Sequence, residues 1–355
     1  DLANQFPEQA YFLYSPTIRP HPQNQHFLNN PSFSIRQNGY WPKAYWRSWG
    51  LKTRLRQDEI QLYHGLSNEL PFQMQASGIK TVVTIHDLIF KYFPQQYPWI
   101  DRQIYDFKFR HACQRADHII AISQSTKQDL MKYYQIPETK ISVIYQSCSG
   151  IYDTLVDKKL IQEMRQRYGL PKDYLLYVGA INERKNLMTL AKALHHLSDN
   201  HRIPLVVVGK GGQYERKVRA YVKQMQLDQQ VFWLGQARQA DLPALYQGAQ
   251  IFIYPSHYEG FGIPIIEALH SKTPVITAQQ SALPEAAGPG AYYIDPSSAE
   301  QLATGIAQLL EDSELSQQLV QAGYQHVQQF SNLESSKAVM QVYQQLLGSN
   351  FKLTG

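Results

Sequence analysis

The chain has 355 residues, 43% of them hydrophobic and 18% charged, the profile of an ordinary soluble protein long enough for two domains with a core each. No run reaches the roughly 18 apolar residues of a membrane span, no signal peptide is visible, and two distant cysteines, Cys113 and Cys148, make neither a disulfide scaffold nor a metal-ligand pattern. The net charge of +5 is uneven: residues 1–150 hold 16 basic and 11 acidic side chains, and residues 151–355 hold 18 of each. The basic half is either a solvated surface or a face for an anionic acceptor or a membrane. The cysteine usage points to a reducing, cytoplasmic compartment, with membrane association through the basic half as an option. The chain begins at Asp1, so its natural start is expected upstream.

The polar residues 1–10 lead into Tyr11-Phe12-Leu13-Tyr14, a short strand. Residues 15–40 read as loops around a strand at Phe33-Ser34-Ile35. From Tyr40 and Trp41 to Trp49, aromatic residues alternate with Lys43 and Arg47, and Lys52, Arg54 and Arg56 follow. A helix with its tryptophans in the core and its arginines in water is preferred here over an aromatic and basic surface for a lipid-linked or anionic acceptor. Ile60–His64 is a strand that ends in the loop Gly65–Pro71, which carries Asn68 and Glu69. Thr81–Ile85 is a nearly continuous apolar run, as a buried parallel strand requires, and it ends at His86 and Asp87. Functional side chains gather at such carboxyl ends. Residues 99–115 are helical, and the spacing of Tyr105, Phe109 and Ala112 puts most of the aromatics of this helix in the core. His118–Ile122 is a strand, Ser123 caps the next helix, and Ile141–Tyr145 is the last strand of the first half.

The small polar segment 146–150 is a hinge, and a second α/β series follows. Its first strand, Tyr174–Val178, runs into Gly179, Asn182, Arg184 and Lys185. Adjacent cations after a buried strand and a glycine suit a phosphate group, since Arg grips its oxygens in pairs and Lys acts as a point charge. Leu205–Val208 leads to Gly209, Lys210 and two more glycines, and Val231–Gly235 contains Leu234. The strand Gln250–Ile253 enters the stretch around which the chain is organised: Tyr254, Glu259, Gly260, Phe261, Gly262, then Pro264 as the first helical residue and Glu267 one turn on. Strand, glycine loop and helix expose backbone N–H groups at the positive helix end, where a phosphate sits well. The flanking carboxylates accept hydrogen bonds from hydroxyl pairs, so the ligand expected has phosphates in the middle and hydroxylated rings at both ends. Alternating strands and helices in both halves give an α/β fold of doubly wound parallel sheets, divided at 1–150 and 151–330.

Two glutamates bracketing a Gly-Phe-Gly-x-Pro core, joined in order to Gly-x-x-x-x-Arg-Lys-Asn upstream, resemble the signature of retaining glycosyltransferases of family 4 with the GT-B fold. That resemblance implies two Rossmann-like domains, with residues 331–355 crossing back to the first. It lacks one part: the first strand and its glycine-rich loop have no counterpart before Tyr11. It implies a nucleotide diphosphate sugar as donor, GDP-mannose first and a UDP-sugar second, and a saccharide or lipid-linked saccharide as acceptor, with no nucleic acid. His86, Glu259, Arg184 and Lys185 would be catalytic. Gly179, Asn182, Gly209, Lys210, Leu234, Tyr254, Gly260, Phe261, Gly262 and Glu267 would bind the donor. Asn68, Glu69 and Asp87 are acceptor candidates. No Asp-x-Asp pair occurs, so the diphosphate is expected to be neutralised by Arg184, Lys185 and helix N-termini without a metal or other cofactor. A nucleotide-sugar epimerase, a phosphorylase or a non-catalytic nucleotide-sugar-binding protein on the same architecture are the alternatives.

Overall fold

The computed structural model describes residues 2–18, 25–38 and 42–348. Tyr40 and Trp41 of the aromatic and basic stretch, and the end of the chain from 349, lie outside the described residues. The chain forms two compact units, residues 1–145 with 332–355 and residues 146–331.

In the first unit, β1 (Tyr11–Ser15) and β2 (Phe33–Gln37) form a separate parallel pair. β3 (Leu62–Gly65), β4 (Lys80–Ile85), β5 (His118–Ala121) and β6 (Ile141–Val143) form a parallel sheet in that order. The apolar alternation of β4 and β5 supplies both faces of this sheet. Val83, Ile85, Ile119 and Ala121 pack with Ala112, Cys113 and Leu130 on one side. Val82 and Ile120 pack with Val342 of the helix Asn332–Leu347 on the other. That helix is tied down by Ser335, whose hydroxyl donates to the Tyr145 carbonyl, and by Tyr343. The Tyr343 hydroxyl is 2.6 Å from Nδ1 of His64, whose Nε2 is 2.8 Å from the Thr84 hydroxyl. Burial pushes the His64 pKa down to about 4.

The stretch from Lys43 to Gln57 is helical, as expected, with Trp46, Leu51 and Leu55 buried and Trp49 about half exposed. The helix Trp99–Arg115 departs from expectation. Its buried residues are Ala112 and Cys113, while Trp99 and Phe107 are exposed; Phe109 packs inward against Phe90, and Tyr105, partly exposed, meets the same ring at 6.5 Å. The helix carries apolar residues on two sides. Periodicity identifies such sides but does not say which one meets the sheet.

In the second unit, β7 (Leu175–Val178), β8 (Leu205–Val208), β9 (Val231–Gly235), β10 (Ile251–Tyr254), β11 (Val275–Ala278) and β12 (Ala291–Ile294) form one parallel sheet. Its order is β12-β11-β10-β7-β8-β9. The chain therefore lays strands outward from β7 in one direction and then restarts at β10 in the other. The crevice at the carboxyl ends of β7 and β10 is the topological switch point, where ligands bind in open α/β sheets. Continuous apolar strands bury both faces, as in Leu205–Val208, where all four residues are buried. Helix Leu187–His196 covers one face with Leu187, Leu190, Ala191 and Leu194, a period of 3.6.

Candidate active site

Two loops meet at the switch point: the one after β7, with Gly179 to Asn186, and the one after β10, from Pro255 to Gly262. Gly179 and Gly209 follow β7 and β8 with φ of +155° and +153°, a region that favours glycine. At Gly209 a Cβ would lie 1.8 Å from the Gly179 carbonyl oxygen, so the two loop starts pass closer than any side chain permits. Asn182 then accepts a hydrogen bond from the Lys185 backbone at 3.0 Å and turns the chain so that Arg184 and Lys185 point to the β10 loop.

Both cations converge on one atom. Oε1 of Glu259 is 2.7 Å from Nη1 of Arg184 and 3.1 Å from Nζ of Lys185. The same oxygen accepts from the hydroxyls of Tyr254 at 3.0 Å and Ser256 at 2.9 Å. Lys185 also donates to the Tyr254 hydroxyl, and Arg184 to the Tyr258 carbonyl. Burial alone would raise the Glu259 pKa, but Lys185 and Arg184 outweigh it and hold the carboxyl below its ordinary range. Lys185 is lowered in turn, because burial outweighs the pull of Glu259. The arrangement is an ionised carboxylate fixing two cations side by side, and Glu259 is therefore occupied as their counter-ion. Tyr254 is fully buried within this network.

Gly260, Phe261 and Gly262 complete the loop. Phe261 is buried, with its ring edge-on to Phe330 at 5.2 Å, and anchors the loop to the unit's core. Gly262 has φ of +137° and leads into helix Ile263–His270, with Pro264 second in the helix where the sequence reading made it first. Glu267 on that helix accepts from the Tyr246 hydroxyl at 2.8 Å. Burial raises its pKa, against the hydrogen bonds from Tyr246 and Tyr152. Lys210 is exposed beyond β8, and Leu234 is partly buried in β9.

Sequence reasoning gave no role to Asn186, although it closes the Gly-x-x-x-x-Arg-Lys-Asn motif, or to Ser256. Asn186 is buried with φ of +58°, and its Nδ2 donates to the carbonyls of Pro255 at 3.1 Å and Pro296 at 2.7 Å. It stitches the β7 loop to the loops after β10 and β12. Its place directly after the Arg-Lys pair, in a residue type that tolerates the left-handed region, was the available signal.

The first unit holds the other candidates. The His86 backbone N–H donates to Oδ1 of Asn68 at 2.9 Å, and its Nε2 lies 2.8 Å from the Leu66 carbonyl, so that nitrogen carries the proton. Asn68, at φ +59°, thus positions His86. Asp87 caps the next turn by accepting from the Ile89 N–H at 3.0 Å. Glu69 pairs with Lys108 at 3.1 Å and borders a small open cavity of about 80 Å³, lined also by Tyr14, Trp46, Arg47 and Tyr63. Among the described residues no cluster of three or more His, Cys, Asp or Glu could hold a metal ion. Nor, among them, is any helix long and apolar enough to cross a membrane.

Two family models match the chain. Glycosyl transferases group 1 matches residues 161–326, and Glycosyltransferase Family 4 matches residues 1–147. O-antigen chain mannosyltransferase B of Escherichia coli is 29% identical over 281 residues, covering 78% of this chain and 72% of the relative. O-antigen chain mannosyltransferase RfbU of Salmonella typhimurium is 30% identical over 214 residues, covering 60% of this chain and just over half, 56%, of the relative. Among solved structures, HepE from Anabaena, in complex with UDP, superposes with a TM-score of 0.76 at 17% identity, covering 97% of this chain and 94% of that one, a likeness of fold. With both family models side by side along nearly the whole chain, and the strand order and loops described above, the chain belongs to the glycosyltransferases of the GT-B fold, with a family 4-like first unit and a group 1 second unit.

Proposed function

We propose that the protein is a retaining, metal-independent glycosyltransferase that moves mannose from GDP-mannose to a saccharide or lipid-linked saccharide acceptor. The observation that carries this reading is the pair Arg184 and Lys185, fixed beside each other on Glu259 at the switch point of the second unit. A nucleoside diphosphate is the leaving group. It gains negative charge as the glycosidic bond breaks, so cations fixed beforehand stabilise the transition state more than the ground state. Backbone N–H groups of Gly260 to Gly262 and the N-terminus of helix Ile263–His270 add to that field. Glu267 accepts from the ribose hydroxyls, and Gly179, Gly209, Lys210 and Leu234 border the nucleotide. His86 contacts the sugar at the reaction centre, and Glu69 faces the acceptor. Attack comes from the face that the diphosphate leaves, with a diphosphate oxygen taking the acceptor proton, so the anomeric configuration is retained. The mannose assignment is supported by the O-antigen mannosyltransferases among the relatives, and a UDP-sugar is the second choice.

The test is thermal stabilisation by GDP, UDP and ADP, each with and without Mg²⁺, on the wild type and Arg184→Ala. A ligand present at about 100 times its dissociation constant adds roughly 2.7 kcal/mol. Stabilisation by GDP that needs no Mg²⁺ and is lost in Arg184→Ala is the expected result. A Mg²⁺ requirement, or an equal response in the variant, would overturn it. The anomeric signal of the product in proton NMR reports retention or inversion.

A further inference from the structure

Two phenols hold Glu267 from outside its own helix. The helix Ile263–His270 places Glu267 and His270 three residues apart, hence on one face, and other elements of the second unit engage both. From helix Leu242–Gln247 the Tyr246 hydroxyl donates to Oε2 of Glu267 at 2.8 Å. From the turn Gly150–Tyr152, near the start of the unit, the Tyr152 hydroxyl donates to the same carboxylate. The next residue, Asp153, meets Nδ1 of His270 at 2.5 Å. The two phenol rings brace each other edge to face, with centroids 5.8 Å apart. Tyr246 is fully buried and Tyr152 is 2% exposed, so the carboxylate takes the place of water for both hydroxyls.

A buried tyrosine hydroxyl needs one acceptor, and a backbone carbonyl serves. Other buried tyrosines of this unit use carbonyls: Tyr174 donates to that of Leu245 and Tyr177 to that of Ala180. Two hydroxyls directed at one carboxylate do more than satisfy themselves. They fix its rotamer and its plane, and they favour its charged form against the burial that opposes it. A carboxylate that takes the paired hydroxyls of a ribose needs both properties. The two hydroxyls arrive in fixed geometry, and a protonated carboxyl would present a donor where the sugar needs an acceptor. Burial and the nearby carboxylate push both phenols far up, so each remains a donor. Cys148, on the same segment as Tyr152, also faces Glu267, but burial pushes its thiol up to about 12 and it stays neutral.

We propose that Tyr152 and Tyr246 are positioning residues for the donor nucleotide: they fix the Glu267 carboxylate in the orientation that takes the ribose hydroxyls, and the segment Gly150–Asp153 is thereby part of the donor site. The proposal rests on the reading of Glu267 as the ribose ligand.

The experiment compares GDP with 2′,3′-dideoxy-GDP, which lacks both ribose hydroxyls, in calorimetric titrations of the full chain. The wild type is expected to prefer GDP. In Tyr152→Phe the affinity for GDP should fall by roughly fivefold to tenfold, while that for 2′,3′-dideoxy-GDP stays within about twofold, since phenylalanine fills the same space and leaves the phosphates untouched. The midpoint of the rise of GDP affinity with pH should also move up, by about half to one pH unit, because a hydrogen bond to the charged form is gone. Tyr246→Phe should move both readouts the same way, and it supplies the answer should Tyr152→Phe fold poorly. Equal losses for the two nucleotides would reduce the tyrosines to core packing, and an unchanged GDP affinity and pH midpoint would deny them any part in the site; either result overturns the proposal. Failure of the underlying reading looks different. A wild type that binds the two nucleotides equally, or binds neither, removes the ribose role of Glu267 before any variant is compared, and the proposal with it.

Discussion

Glu259→Gln removes one charge and almost no volume, and it isolates the counter-ion role. In the wild type a single carboxylate oxygen takes Arg184 at 2.7 Å, Lys185 at 3.1 Å, Tyr254 at 3.0 Å and Ser256 at 2.9 Å. The amide keeps an acceptor there, but two adjacent buried cations lose the charge that holds them. Removing one partner of a buried ion pair costs about 3–5 kcal/mol. Lys185, already lowered by burial, sheds its proton more readily, which places the cost near the lower bound, about 3 kcal/mol. For a unit spanning residues 146–331, each 1 kcal/mol moves the midpoint by about 2–4 °C, so its melting should fall by about 6–12 °C. A nucleoside diphosphate carries the missing negative charge into the proposed site, so GDP should restore more degrees to E259Q than it adds to the wild type. Calorimetric melting with and without GDP measures both terms. Ser256→Ala, which removes one neutral hydrogen bond to the same oxygen, should cost only about 1 kcal/mol. An E259Q midpoint indistinguishable from the wild type would refute the counter-ion argument, and so would a GDP response no larger in the variant.

Glu267 should give nucleotide binding a pH dependence. Burial raises its pKa, and in the proposed site only the ionised form accepts fully from ribose hydroxyls. Affinity for GDP should therefore rise with pH through that raised pKa. Glu267→Gln should flatten the profile in calorimetric titrations, and an unchanged profile would take Glu267 out of the site. His64 makes the first unit acid-sensitive. Its folded pKa of about 4 lies below the 6.5 of a free histidine, so the unfolded chain takes up the proton first. Stability is intact above about pH 6.5 and falls as pH drops toward 4, by roughly 3 kcal/mol in all. His64→Gln should lower the midpoint at neutral pH yet lose less between pH 7 and 4.5 than the wild type, and parallel acid slopes would contradict this. Gly209→Ala puts a Cβ 1.8 Å from the Gly179 oxygen at φ +153°, so the β7 loop must move. A loss of more than about 2 kcal/mol in denaturant unfolding is expected, together with the GDP response.

Legibility in the sequence followed the range of the interactions. The strands of the second unit are short apolar runs, β7 to β9 closed by glycine, and that local pattern survives without any knowledge of neighbours. Gly179, Gly209 and the Gly260 to Gly262 loop stand where their strands end for the same local reason. The spatial order β12-β11-β10-β7-β8-β9 is a matter of pairing across the chain, and no single segment encodes it. Arg184 and Glu259 are 75 positions apart, so their convergence on one oxygen was invisible even with both residues in view. Glu259 consequently read as a ligand for hydroxyls, and its use of one carboxylate oxygen, Oε1, to hold both cations was not foreseen. The helix Trp99–Arg115 shows a different limit. Tyr105, Phe109 and Ala112 mark one apolar register and Ile100, Ile104 and Phe107 another, and amphipathic periodicity ranks neither above the other.

Asn186 explains how a loop between strands can hold charges rigidly enough to act on a reaction. A transition-state charge is stabilised only by groups already in place, because any reorganisation at the moment of reaction subtracts from the gain. Loops are the mobile part of an α/β unit, so a cation pair on one loop needs a second attachment. Glu259 supplies it from the β10 loop, but an ion pair fixes charge more than it fixes backbone. Asn186 fixes the backbone: its amide spans the carbonyls of Pro255 and Pro296 from within the β7 loop, and its own position at φ +58° lets the chain turn into helix Leu187–His196. Leaving those two carbonyls unpaired would cost about 1–3 kcal/mol each. The β7 loop is therefore joined by hydrogen bonds to the loops after β10 and β12, and by charge to the β10 loop, before any ligand arrives. The proposed chemistry asks for that order of events.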